Sequence, residues 1–327
     1  MALSVLYIGG TGQISLPCVE ASLAAGHDVT ILNRNKTSVS LPKGVKTLVG
    51  DMNDVAYGAL GDKRFDVVAQ FRLYTADQMR RDIATFTGKT GQYVFISSAS
   101  AYEKPVRHYM MTERTKLENK YWRYSRDKIA CEQLLRDQDA LAYTIVRPSH
   151  TVRTHMPIEL GDPDAAIGRM IAGKPVIVTG DGSSLWTLTR SVDVATPFVR
   201  LLGNSAALMD DFHITTDRGF TWRQIHEAIA RGFGVEAVHA PVPTETLVRF
   251  NKEWEGPLLG DKTWSALFDN SKVKRVAGPF EASQDIDEIL QDSIMHAKQR
   301  LKSPPPPESD EDRLIDKIVA AQNGLRP

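Results

Sequence analysis

The chain has 327 residues, 42% of them hydrophobic, enough for a sizeable core and for two domains or one domain with an embedded lobe. Lys and Arg number 40 and Asp and Glu number 40, so the formal charge is +0 and no global field favours nucleic acid or a membrane surface. Cys18 and Cys131 fall in separate expected helices with no disulfide framework, and no apolar run approaches the roughly 18 residues of a membrane span. The opening Met1-Ala2-Leu3-Ser4-Val5 lacks the basic region of a signal peptide and enters a strand at once, so a soluble, cytoplasmic protein is expected.

Residues 3–8 are an apolar run ending in Gly9-Gly10-Thr11-Gly12, followed by Gln13-Ile14-Ser15 and a helical stretch to residue 25. Gly26 stops that helix, and residues 27–32 read as a second strand. A glycine-rich turn between strand and helix lets the backbone approach a pyrophosphate, whose charge sits at the helix N-terminus. Ser15 stands where a third glycine is common, and is small enough to keep the helix packed on the strand. The second strand ends at Asn33-Arg34-Asn35-Lys36, with no acidic residue for ribose hydroxyls. Arg34 and Lys36 suit a 2′-phosphate instead, which favours NADP over NAD.

Further strands are expected over 45–49, 65–69, 92–96 and 141–146, and helices over 75–88 and 128–136. This alternation implies an α/β fold with a parallel, doubly wound sheet of the Rossmann type, whose ligands bind beyond the carboxyl ends of the strands. Asp51, Gln70, Ser98 and Ser149 all fall at such ends. The fifth strand runs into Ser97-Ser98-Ala99-Ser100-Ala101-Tyr102, and after a loop Tyr124-Ser125-Arg126-Asp127-Lys128 leads into a helix. A Tyr and a Lys four apart share one helical face. An ammonium beside a phenol favours the phenolate, and a serine hydroxyl can hold a carbonyl or alcohol oxygen beside it. Such a trio moves a proton while a cofactor moves a hydride.

After Pro148 the pattern loosens. A strand is expected over 175–178, a turn at Gly180-Asp181-Gly182, a helix over 191–202 and a strand over 212–215. Thr221 and Gln224 make a capping box for a helix to residue 231. Residues 1–150, with 183–216 returning to them, read as the NAD(P)-binding unit. Residues 151–182 and 217–302 read as a smaller C-terminal substrate lobe. Residues 303–327 read as a Pro-rich linker and a short amphipathic helix with Leu314, Ile315, Ile318 and Val319 on one side. His150 and His155 lack the spacing and acidic partner of a zinc site, so no metal is expected.

In this order, Gly9-Gly10-Thr11-Gly12-Gln13-Ile14, Gly50-Asp51-Met52, Phe95-Ile96-Ser97-Ser98, Tyr124 to Lys128 and Arg147-Pro148-Ser149 resemble the extended short-chain dehydrogenase/reductase superfamily, in its NAD-dependent epimerase/dehydratase group. Residues 121–128 and Gly260-Asp261-Lys262 are similar to an atypical branch that includes the chloroplast stem-loop RNA-binding proteins. The resemblance implies Tyr124 as catalytic acid/base, Lys128 as the group that lowers its pKa and holds the nicotinamide ribose, and Ser98 as the residue orienting the substrate oxygen. It implies Gly9, Gly12, Gln13 and Ile14 in the dinucleotide turn, and Asn33, Arg34 and Lys36 beyond the second strand. Asp51 and Met52 would contact the adenine, Gln70 would lie near a ribose, and Pro148 and Ser149 would flank the nicotinamide. It also implies a homodimer through a two-helix face carrying 118–138.

Two departures narrow the chemistry. Ala99-Ser100 follow Ser98 where sugar-nucleotide dehydratases carry an acidic pair, which removes that elimination. Trp186 stands where many nucleotide-sugar epimerases carry an arginine for the substrate pyrophosphate, and Arg190 is displaced from that place. The first reading is an NAD(P)-dependent oxidoreductase or epimerase acting at a secondary alcohol or ketone of a small, sugar-like substrate. The second is a cofactor-binding scaffold that binds RNA or protein. The retained Ser98, Tyr124 and Lys128 and the balanced charge weigh toward the first. Arg107, Arg114, Lys116, Lys120, Arg123 and Arg126 are the stretch that favours the second, although Glu113, Glu118 and Asp127 are mixed among them.

Overall fold

Seven parallel strands make the central sheet: β1 (Ser4–Ile8), β2 (Asp28–Asn33), β3 (Lys46–Val49), β4 (Phe65–Gln70), β5 (Thr90–Ile96), β6 (Tyr143–Pro148) and β7 (Asp210–Ile214). Their spatial order is β3-β2-β1-β4-β5-β6-β7, so the order reverses between β1 and β4, where a crevice opens beyond the strand ends. This computed structural model describes residues 1–34, 39–51, 57–301 and 309–324.

Alternation along β1 explains the layers. Val5 and Tyr7 point to a core shared with α1 (Ser15–Ala24) and α5 (Ser191–Leu201), through Cys18, Val19, Val194 and Phe198. Leu6 and Ile8 point to a core shared with α2 (Ala76–Phe86) and α3 (Arg123–Arg136), through Met79, Phe86, Cys131 and Leu135. Strands covered on both faces read as continuous apolar runs, which is why they were visible in the sequence.

A further core forms past the carboxyl end of β6. Trp186, Leu188, Phe220, Trp222, Ile225 and Ile229 pack there with Ile167 of α4 (Pro163–Ile171), Val176 and Leu290. Short ladders hold it: His150–Val152 pairs in parallel with Leu188–Arg190, and Val176–Thr179 pairs with His239–Val242. The capping box of Thr221 and Gln224 is present on α6 (Trp222–Gly232). The sequence reading did not assign the fifteen-residue helix Ile286–Arg300, capped by Asp285. The helix Asp310–Asn323 docks on the body, with Ile315 and Ile318 buried among Leu160, Ile177, Val242, Leu247, Trp254 and Leu258. Its Asp312 pairs with the buried Arg169, and its Asp316 lies 2.8 Å from Arg169 and 2.9 Å from Lys174.

The helix bearing Tyr124 starts at Arg123, five residues before the expected Lys128. Its N-cap Trp122 provides no side-chain cap, so the usual sequence signal is missing. The Asn119 carbonyl oxygen does that work from three residues upstream, accepting from the Tyr121 and Trp122 amides (3.2 and 3.1 Å). Trp122 itself is seated on two glycines. A Cβ on Gly256 would lie 2.4 Å from its Cδ1, and one on Gly260 2.7 Å from its Cβ.

Candidate active site

The glycine turn is fixed from within. Gly9 has φ +86° and sits under Arg72, whose Cγ would lie 2.1 Å from an added Cβ. Ser15, expected only to be small enough, is a structural element of the turn: its hydroxyl donates to the Gly9 carbonyl (2.6 Å) and accepts from the Gly12 amide (2.8 Å). Ile14 caps α1 with no side-chain bond, which leaves the first-turn amides free of side-chain competition. Gln13 Oε1 accepts from Thr154, while its Nε2 is buried without a hydrogen-bond partner among the described residues. Arg153 donates to the Gln13 and Gly12 carbonyls (3.2 and 3.4 Å). Arg72 and Arg153 thus place two cations at the turn that sequence reading missed. Only the position of Arg72 just past β4 could have flagged one of them.

Ser98, Tyr124 and Lys128 come together beyond the end of β5. Lys128 is buried under the Tyr124 ring (5.8 Å to its centroid) and gives two protons to the Leu73 and Ile96 carbonyls (2.7 and 2.8 Å). Burial pulls its pKa down to about 8, with Cys131 and Glu132 opposing. Burial pushes the Tyr124 phenol up to about 12, while the hydrogen bond with Ser98 acts the other way. Desolvation thus dominates at Tyr124, and the Lys128 ammonium, whose protons are engaged with two carbonyls, is not among the groups that shift it. Ser98 Oγ also lies 2.9 Å from Ser100 Oγ, to which the buried Ser125 donates (2.8 Å).

Ser98, Ser100 and Tyr124 line a cavity of about 260 Å³ with Trp122, Pro148, Ser149, His150, Trp186, Phe268, Lys104 and Asp261. Trp186 stacks on Trp222 (5.4 Å) and donates to His150 Nδ1 (3.2 Å). Burial takes His150 down to about 3, so its ring is neutral, and because Nδ1 accepts, the proton stands on Nε2. Arg190 pairs with Glu288, away from these residues. A larger open groove of about 930 Å³ between α6 and Ile286–Arg300 contains none of them.

Residues 9–164 match the protein family described as NAD(P)H-binding. The match spans 156 of the 327 residues, a little under half of the chain. The chain is 25% identical over 287 residues to 2'-dehydrokanamycin reductase of Streptomyces kanamyceticus, covering 85% of this chain and 80% of that protein. It is 26% identical over 310 residues to the chloroplast stem-loop binding protein of 41 kDa b of Arabidopsis thaliana, covering 88% and 78%. Among solved structures, an epimerase from Methanothermobacter thermautotrophicus superposes with TM-score 0.74 at 15% identity over 91% of this chain and 93% of the other. The UDP-glucose 4-epimerase from Thermotoga maritima gives TM-score 0.71 at 17% identity over 91% and 99%. The fold is the α/β, Rossmann-type one that the alternation of strands and helices implied, and these epimerases share it.

The turn suits a dinucleotide: an orphaned Gln13 amide, a helix N-terminus without a side-chain cap and two arginines all favour a pyrophosphate. The other expected contacts divide. Pro148 and Ser149 line the cavity. The Asn33 carbonyl accepts from Gly50 at the end of β2 (2.9 Å), and Arg34 faces Asp51 (3.8 Å). Lys36 and Met52 lie outside the described residues. The Gln70 side chain is engaged in a core network, donating to Asp82 and Tyr57 (2.7 and 3.1 Å) and accepting from the Arg72 amide (2.8 Å), which occupies both of its amide protons. Among the described residues no cluster could hold a metal ion, and no helix is long and apolar enough to cross a membrane.

Asp261 yields a stability prediction. Burial pushes its carboxyl up to about 6, with Lys104 and Lys262 opposing. The folded pKa exceeds the unfolded value of about 3.9, so between about pH 4 and pH 6 the folded chain binds more protons. The charge therefore costs stability above that window, and the cost vanishes as pH falls through it. Asp261→Asn is expected to melt higher than the parent at neutral pH, the gap closing toward about pH 4. Melting curves across that range check it, and a gap independent of pH would contradict it.

Proposed function

We propose that this chain is an NADP(H)-linked reductase acting on the ketone of a small, sugar-like molecule, with Tyr124 as the proton donor. The observation that carries this reading is the meeting of Ser98 and Tyr124 at one small cavity beyond the sheet, with Lys128 packed behind the Tyr124 ring. The bound nicotinamide supplies the hydride. Tyr124, protonated because burial holds its pKa near 12, gives its proton to the substrate oxygen that the Ser98 hydroxyl orients. Ketone, hydride and proton add up to the secondary alcohol, and the phenolate left behind is reprotonated beside Ser98, Ser100 and Ser125. Lys128, tied to two backbone carbonyls, fixes the ring beside which it lies and keeps one proton for a ribose hydroxyl.

The likeness to a ketone reductase supports this direction, as does Trp186 in place of a phosphate-binding arginine. The likeness to the chloroplast stem-loop binding protein is of the same order, but the surface charge weighs against the RNA-binding alternative. Arg107, Lys116 and Arg123 pair with Glu103, Glu118 and Asp127, which neutralises much of that basic stretch.

Titration of the purified chain with NADPH and NADH tests the reading. NADPH is expected to bind more tightly and to exchange each turnover. Arg34→Ala should weaken NADPH by about tenfold, the value of one charge-assisted contact, and leave NADH nearly unchanged. Binding of neither nucleotide would overturn the proposal, and tightly retained NAD(H) would make the chain an epimerase instead.

A further inference from the structure

Two opposite charges in the cavity are left over by the mechanism. Lys104 is 5% exposed, and among the described residues its ammonium makes no hydrogen bond or close ion pair. Asp261 lines the same cavity, and its carboxylate likewise has no hydrogen-bond donor among the described residues. Each charge acts on the other, yet no hydrogen bond or ion pair within 4.0 Å joins them, so a buried ammonium and a half-buried carboxylate face a single small space that a ligand can bridge. The neighbouring Lys262 does not share this role, because its ammonium is spent on the Ile158 and Glu159 carbonyls (2.8 and 3.2 Å).

Asp261 is also deliberately placed. It sits in the single π-helical turn Leu258–Lys262, a geometry that recurs at functional sites. That turn is pinned at two points: Asn119 Nδ2 donates to the Gly260 carbonyl (2.7 Å), and Trp264 donates to the Leu259 carbonyl (2.7 Å). The same Asn119 amide donates to the Ser100 carbonyl (2.9 Å), so one side chain holds the Asp261 turn against the loop that carries Ser98. Asp261 is close enough to Tyr124 to act on its titration.

We propose that Lys104 and Asp261 are the substrate-recognition pair of this site, and that they take a hydroxyl on the carbon beside the reacting ketone. The ligand's chemistry follows from the two charges. An ammonium on the substrate would satisfy Asp261 and be repelled by Lys104. A phosphate would satisfy Lys104 and be repelled by Asp261. A hydroxyl accepts from the one and donates to the other, and an adjacent pair of hydroxyls does so equally well. The substrate class is therefore an α-hydroxy ketone without a phosphate near the reacting carbon. This deepens the reductase reading and rests on it.

The test uses the full chain with NADPH and two ketones that differ by one group, 2-hydroxycyclohexanone and cyclohexanone. NADPH oxidation should show kcat/KM favouring the hydroxy ketone by roughly tenfold or more, as a charge-assisted hydrogen bond provides. Lys104→Met and Asp261→Asn should each bring that ratio close to one while the NADPH Kd stays unchanged. An Asp261→Asn protein that melts no lower than the parent shows that lost discrimination is not lost folding. A ratio of one in the parent, a ratio that survives both substitutions, or turnover of neither ketone by NADPH-loaded protein would overturn the pair's assignment. Failure to bind NADPH at all would instead overturn the redox reading beneath it.

Discussion

Tyr124→Phe is expected to lower turnover by roughly a thousandfold while the NADPH Kd stays within about twofold, the range spanned by loss of a positioned general acid. The substitution removes only the phenolic oxygen. The ring contacts with Trp122 (5.0 Å between centroids) and with the Lys128 ammonium remain, so the geometry of α3 is kept. Single-turnover measurement at saturating NADPH isolates the chemical step. The two directions should differ in pH response. Reduction needs the protonated phenol, which burial secures up to the alkaline range, whereas oxidation of the alcohol needs the phenolate and should quicken as pH rises. Turnover within tenfold of the parent would mean that another group donates the proton.

Arg147→Met should cost about 3–5 kcal/mol of folding stability, the usual price of leaving buried carboxylates without their partner. Arg147, on β6, makes a two-point contact with Glu132 on α3 (2.8 and 2.5 Å), and also donates to Asp211 on β7 (2.5 Å) and to the Tyr102 hydroxyl (3.1 Å). Glu132 and Asp211 are both buried, and only Arg136 (3.0 Å from Asp211) and Lys272 (3.9 Å) would remain near them. Urea unfolding gives the difference directly. Changing Glu132 to Gln in the same protein should recover part of the loss, since one orphaned charge is then removed. A loss below about 1 kcal/mol would show that water reaches the network and that it does not hold α3 to the sheet.

The strands and the glycine turn were readable because burial on both faces imposes continuous apolar runs, and because few residues tolerate the backbone of such a turn. Ser98, Tyr124 and Lys128 were readable from their positions at a strand end and on a helix. The start of α3 was not, since Asn119 supports it from outside the helix. The inward bonds of Gln70 were not readable, because a strand end carries a side chain either toward the crevice or into the core, and here Asp82 and Tyr57 draw it inward. Lys104 and Asp261 were invisible as a pair. A buried lysine and a solvated one look alike in a sequence, and 157 positions separate the two residues along the chain.

The seat of Trp122 on Gly256 and Gly260 constrains how this chain can change over generations. An alanine at Gly256 collides with the indole, so it is admissible only after residue 122 has become smaller, while one at Gly260 meets the Trp122 Cβ, which every residue but glycine keeps. The reverse order passes through a clashed intermediate. Shrinking residue 122 first, however, withdraws the ring that braces Tyr124. Any lineage that remodels the 256–260 loop, and with it the turn bearing Asp261, must therefore first tolerate a loosened Tyr124. New substrate preferences are reached here only by descendants that can survive an interval of weakened catalysis.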